Sequence, residues 1–212
     1  MKSVIIGAGS YGLVYLSYLR EAGVEIAGFI DDNTELHNTM IDGVPVLGGK
    51  DLLPTLRKSH GIEAVYCPIG NNKVRVKLLL LARELGYKTP GYIHPSVVVS
   101  PNAVVGEGVY ILPNSSIMPY TKLGDFTMIS IGVNVAHHAT LDRGVFLSNG
   151  CNFGALVKAG EYAYCGMGST IMSGIGSIGR NTLIGAGTVV VKELPDDVVV
   201  AGVPAKILRK ND

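Results

Sequence analysis

Two adjacent histidines, His137 and His138, and one glycine-rich run, Gly7-Ala8-Gly9-Ser10-Tyr11-Gly12, are the segments best suited to chemistry. An imidazole exchanges protons near neutral pH, so either histidine is a candidate general base. A G-x-G-x-x-G spacing between an apolar strand and a helix lets backbone amides and a helix N-terminus meet a phosphate. An acid about twenty residues further on can accept a ribose hydroxyl. Asp31 and Asp32 stand at that distance. A third segment, Gly70-Asn71-Asn72 followed by Lys73 and Arg75, offers amides, carboxamides and cations to a pyrophosphate. The expected substrate contacts are therefore Gly9, Ser10, Tyr11, Gly12, Asp31, Asp32, Gly70, Asn71, Asn72 and Arg75. The competing reading is structural. The glycines could make only a tight turn and a close helix–strand contact, and Lys73 and Arg75 only a solvated helix face.

The elements that must hold the glycine run alternate between strand and helix. Ser3 to Ile6 is a short apolar strand, about Leu13 to Ala22 a helix, and Val24 to Ile30 a second strand. Ala64 to Ile69 reads as a later strand and Asn72 to Leu85 as a helix with one apolar side. This alternation implies an α/β, Rossmann-like parallel sheet over residues 1–92. A complete dinucleotide fold needs two mononucleotide halves. About ninety residues hold one half and a little more, which suits one nucleotide.

The histidines belong to a different architecture. From Ile93 a bulky apolar residue returns every six positions, through Val99, Val105, Ile111, Ile117, Leu123, Ile129, Val135, Leu141, Leu147 and Phe153. The series continues through Ala159, Cys165 and Ile171, takes one extra residue, and resumes at Ile178, Ile184 and Val190. A helix with 3.6 residues per turn would scatter these side chains around its surface. A three-sided β-solenoid uses them, with one hexad per face and eighteen residues per coil. The first and fifth residues of each hexad point inward, and glycine takes the corners. About five to six coils at ~4.8 Å give a prism on the order of 25–30 Å long. His137 and His138 are the third and fourth residues of the Val135 hexad, so both imidazoles belong outside the prism. Ala155, eighteen residues after His137, belongs one coil further along the same edge. Its backbone N–H is a candidate oxyanion donor.

Composition removes several classes. The chain has 212 residues and a formal charge of +1, which gives no footprint for nucleic acid or a polybasic membrane contact. No apolar run reaches eighteen residues, and the N-terminus lacks a signal-peptide pattern. Cys67, Cys151 and Cys165 are odd in number and scattered, and two fall on interior positions. Buried thiols in a reducing compartment follow, with a cytoplasmic location expected.

An N-terminal half-Rossmann segment followed by a hexapeptide solenoid resembles the NeuD/PglD-type sugar acetyltransferases. The residues that carry this are Gly7 to Gly12, Asp31-Asp32, Gly70-Asn71-Asn72 with Arg75, Val135-Ala136-His137, and Gly202-Val203-Pro204-Ala205. The resemblance implies a left-handed parallel β-helix over residues 93–212, acetyl-CoA bound between subunits of a homotrimer, and a nucleotide-linked amino sugar held by the first domain. It implies no metal. It places the catalytic base on His137 and the oxyanion amide on Ala155. His138 then stands where the family has an acid, and Phe146 where it has a second histidine. Asp125, Asp142 or an acid of another subunit is the expected substitute for the missing carboxylate. The implied coenzyme contacts are Phe146, Met167, Gly168, Gly185, Ala186 and Lys206, with Arg209 also in reach of its phosphates. Three other functions stay open. They are O-acetylation of a sialic-acid-like sugar, a nucleotide-sugar-binding protein without turnover, and a zinc enzyme of the γ-carbonic anhydrase kind.

Overall fold

A computed structural model describes residues 1–211, which leaves Asp212, the last residue of the predicted second domain, outside. The chain forms two compact units that meet at Pro90 and Gly91.

The first unit runs β1 (Ser3–Ile6), α1 (Ser10–Glu21), β2 (Ile26–Ile30), β3 (Met40–Ile41), β4 (Val44–Gly48), α2 (Leu53–His60), β5 (Ala64–Tyr66) and α3 (Asn72–Glu84). The sheet order is β3-β4-β2-β1-β5, parallel except for the β3–β4 hairpin. Every side chain of β1 is buried, as a central strand covered on both faces must be. Tyr15, Leu16 and Leu19 of α1 and Val76, Leu79 and Ala82 of α3 are buried as well. Their three- and four-residue spacing makes one apolar stripe on each helix.

Two strands are shorter than the sequence suggests. The Val24 N–H donates to the Leu19 carbonyl at the end of α1, so β2 begins only at Ile26. Pro68 has no N–H to give a ladder, and β5 ends at Tyr66. Two further elements carry their own sequence signals. Asp42-Gly43, with φ of 47° and 72°, makes the tight β3–β4 turn. Pro54 opens α2 and Gly61 closes it at φ 66°.

The second unit is the solenoid. Two-residue strands recur from Tyr92–Ile93 to Val189–Val190 and stack in parallel into three sheets. Each pairs with the strand eighteen residues away, as Val135 does with Ile117 and Phe153. The one extra residue is absorbed at Ile175-Gly176, and the step widens to nineteen, from Cys165 to Ile184. The first hexad residues from Ile111 onward are buried, and so are the fifth residues from Ser115 to Thr188. In the first coil Ile93, Val99 and Val105 are only partly covered, because no earlier coil packs on them.

The corner glycines are required by close approach. A Cβ on Gly124 would lie 2.8 Å from the Arg143 nitrogen of the next coil, and one on Gly166 2.7 Å from that of Ala186. The left-handed residues fall instead at the fourth hexad position, which includes Tyr120, Phe126, His138 and Leu156 beside several glycines. After Leu194 the chain forms strand Val198–Ala201 along the last coil, and Lys206–Lys210 returns antiparallel to it.

Candidate functional site

In the first unit, the glycine loop joins β1 to α1. Gly12 is there for packing, since a Cβ would sit 2.0 Å from the Gly7 carbonyl oxygen. Gly9 has nothing within 4 Å of its absent side chain, so space for a ligand stands beside it. Ser10 is exposed, and Tyr11 stacks on Tyr15 with ring centroids 6.3 Å apart. A cleft of about 170 Å³ opens at the strand ends, lined by Gly7, Asp31, Asp32, Lys50, Ile69 and Val74.

The two acids divide their roles. The Asp31 carboxylate accepts the Ala8 N–H at 2.8 Å and the Asn33 N–H at 2.9 Å, so it ties the glycine loop to the end of β2. Asp32 is exposed and pairs with Lys50, accepting from its side chain and its backbone N–H. That pairing holds the Asp32 carboxyl below its ordinary range. Lys50 carried no spacing signal, because the register of β4 beside β2 brings it to the cleft. Replacing Asp31 by Ala strands two backbone donors, at a cost of about 1–3 kcal/mol. Thermal denaturation should show a lower Tm for Asp31→Ala and a smaller decrease for Asp32→Ala, whose partner Lys50 is exposed to water. Equal melting of the two variants would refute the tethering role.

The Gly70-Asn71-Asn72 segment departs from expectation. Asn71 caps α3 by accepting the Val74 N–H at 3.0 Å. Asn72 is buried, Gly70 is partly exposed and Asn71 is exposed. Arg75 is 0% exposed and donates to the Ile69 carbonyl at 2.8 Å, so it braces the turn from inside and does not face a pyrophosphate. Burial pushes the neighbouring Cys67 thiol up to about 12, with the Arg75 charge acting weakly in the opposite sense.

In the solenoid, His137 and His138 are exposed at one corner, as their hexad positions require. Their Nδ1 atoms lie 3.0 Å apart and their rings are perpendicular. His138 has a φ of 57°, and its ring lies 4.8 Å from that of Tyr120, one coil earlier. An Nδ1–Nδ1 hydrogen bond holds one proton between two rings. With the proton on His137, its Nε2 has a free lone pair pointing away from His138, and His138 takes the acceptor place of a carboxylate. Asp125 and Asp142 are not substitutes. Both follow strands of the next face, where Asp125 accepts the Glu107 N–H and Asp142 pairs with Lys158.

Beside this corner lies a cleft of about 280 Å³, with Met118, Asn134, Ala136, Asn152, Gly154 and Ser173 among its walls. Ser116, Asn134 and Asn152 form a hydrogen-bonded ladder along its floor, at 2.8 and 3.0 Å. Ala155 sits one coil from His137 as expected, but its N–H already donates to the Ser173 hydroxyl at 3.0 Å. Ser173 was legible, because it lies thirty-six residues, or two coils, after His137.

The expected coenzyme residues separate. Met167, Gly168 and Ala186 are exposed and Gly185 partly so, across one face from the histidines, and Lys206 is exposed on the last strand. Phe146 is corrected: it is 3% exposed, with its ring edge-on to Tyr164 at 5.2 Å, and offers no surface to a coenzyme. Cys151 and Cys165 are interior; contact with Cys151 and burial push the Cys165 thiol well up. Among the described residues no three His, Cys, Asp or Glu side chains converge, and no helix is long and apolar enough to cross a membrane.

Residues 2–80 match the PglD N-terminal domain model. Over 98% of this chain and 97% of the other, the protein is 36% identical to a histidine mutant of perosamine N-acetyltransferase from Caulobacter crescentus, with a TM-score of 0.92. The chain belongs to the NeuD/PglD-type sugar acetyltransferases. The solenoid is accordingly the left-handed parallel β-helix of this family. The Caulobacter structure is a complex with CoA and GDP-perosamine. The acetyltransferase domain of PglB from Neisseria gonorrhoeae, solved with acetyl coenzyme A, is 30% identical over 98% of both chains, with a TM-score of 0.87. Coverage is lower among curated sequences: the chain spans 38% of the bifunctional protein GlmU of Ruthia magnifica and 56% of a second relative.

Proposed function

We propose that this chain moves the acetyl group of acetyl-CoA to the amine of a nucleotide-linked 4-amino-4,6-dideoxy sugar, with His137 as general base. The observation that carries this reading is the Nδ1–Nδ1 contact of 3.0 Å at an exposed corner beside a cleft. With the shared proton on His137, its Nε2 is left with a lone pair. The CoA and GDP-perosamine bound in the Caulobacter relative support a coenzyme and a nucleotide-sugar of the same two classes here.

An alkylammonium has no lone pair to attack with, so it first loses one proton to solvent, and His137 Nε2 takes the second from the neutral amine as the N–C bond forms. The C–S bond then breaks, and the proton held on His137 passes to the departing thiolate. As an imidazolium, His137 donates through Nδ1 to the His138 lone pair. Backbone amides of Gly9 and Ser10 and the Asp32–Lys50 pair are assigned to the nucleotide. Met167, Gly168, Gly185, Ala186 and Lys206 are assigned to the coenzyme. A homotrimer in the cytoplasm, with the coenzyme between subunits, completes the reading.

The test is CoA release from acetyl-CoA, with UDP-, GDP- and dTDP-linked 4-amino-4,6-dideoxy sugars as acceptors. Turnover with one carrier is expected. Silence with every amino sugar, and turnover with a free sialic-acid-like sugar, would replace N-acetylation by O-acetylation.

A further inference from the structure

The Ala155 amide, expected to meet the oxyanion, is occupied. Its N–H points at Ser173 Oγ, 3.0 Å away. Among the described residues the Ser173 hydroxyl donates to no protein acceptor, and it lines the same cleft as Ala136 and Gly154. Gly154, the preceding coil's corner glycine, packs against the Ser173 backbone. A Cβ there would lie 2.6 Å from the Ser173 nitrogen and 2.5 Å from the Ile171 oxygen, so the backbones are too close for a side chain.

We infer that the Ser173 hydroxyl, not the bare Ala155 amide, is the hydrogen-bond donor to the thioester oxygen. This rests on the acetyl-transfer reading above. An oxygen that accepts an N–H is polarised toward donating its own proton, since chained hydrogen bonds strengthen one another. The Ala155 amide thereby fixes the hydroxyl and sends its proton into the cleft. Ser173 lies two coils from His137, about 9.6 Å along the axis at ~4.8 Å per coil. The path from base to amine, carbonyl carbon, oxyanion and donor spans about 7 Å when extended, so the His137 imidazole has to lean along the axis toward Ser173. During transfer the carbonyl oxygen gains charge as the N–C bond forms and gives it up as the C–S bond breaks. Ser173 donates throughout and is not itself acylated.

The two donors predict opposite results for Ser173→Ala. A hydroxyl donor removed should lower kcat by about 10²–10³-fold, with KM for acetyl-CoA changed little. Ser173→Thr, which keeps a hydroxyl, should recover most of the rate. If the Ala155 amide is the true donor, Ser173→Ala frees it, and kcat holds or rises; that result overturns the inference. A second readout needs no acceptor. The infrared carbonyl band of bound [1-¹³C]acetyl-CoA should lie below that of free acetyl-CoA in the wild type. In Ser173→Ala it should return toward the free value. A lowered wild-type band without turnover on any acceptor would keep the Ser173 contact and overturn the acceptor reading alone. An unshifted wild-type band, or no binding of acetyl-CoA, would overturn the contact itself.

Discussion

His137→Ala should reduce acetyl transfer by about 10²–10⁴-fold, the usual worth of a positioned general base. Binding of the nucleotide sugar should survive, because the glycine loop and the Asp32–Lys50 pair lie in the other unit. The informative companion is His138. Its ring holds His137 through the Nδ1 contact and is itself held by Tyr120. His138→Ala removes the acceptor and lets the His137 ring turn, which should cost about tenfold. His138→Asp supplies a carboxylate at a position with φ 57°, a conformation aspartate tolerates. A charged acceptor supports an imidazolium better than a neutral ring does. His138→Asp should therefore match or exceed the wild-type rate. Steady-state kinetics with the productive acceptor decide this. Activity lost in His138→Ala and kept in His137→Ala would move the base by one residue.

Arg75→Ala should strongly destabilise the first unit. The side chain is fully buried and holds the Ile69 carbonyl across the turn before α3. Truncation leaves a large cavity and an unpaired carbonyl, at about 3 kcal/mol or more. For a unit of this size that lowers Tm by more than about 10 °C. Differential scanning calorimetry of the full chain should show the loss, with the solenoid transition little changed. A stable Arg75→Ala that binds nucleotide weakly would restore the phosphate-contact role the sequence suggested.

Much of the fold was legible because a solenoid is nearly one-dimensional. Each coil meets only its neighbours, so the six-residue period states which side chains face the axis. Burial of Ile117, Leu141 and Thr121 follows from counting, as does exposure of His137 and His138. Counting also sets Pro119, His137, Ala155 and Ser173 on one corner, since eighteen residues return the chain to the same edge.

The first unit was less readable for a physical reason. Its sheet is built from contacts distant in sequence, with no period to carry them. The order β4-β2-β1-β5 decides that Lys50 meets Asp32, eighteen residues away, and that Arg75 turns inward. The glycine motif announced a close approach, but it did not say that Gly12 serves packing while Gly9 borders open space.

The sequence by itself determined the solenoid, the outward placement of both histidines and the alignment of Ala155 below His137. Each is a consequence of a repeat whose period is visible in one dimension. Only the tertiary structure decided the hydrogen bonds among those residues. It paired His137 with His138, gave the Ala155 amide to Ser173 and tied Asp31 to the glycine loop. Hydrogen bonds depend on tenths of an ångström and on angle, and residue spacing carries neither.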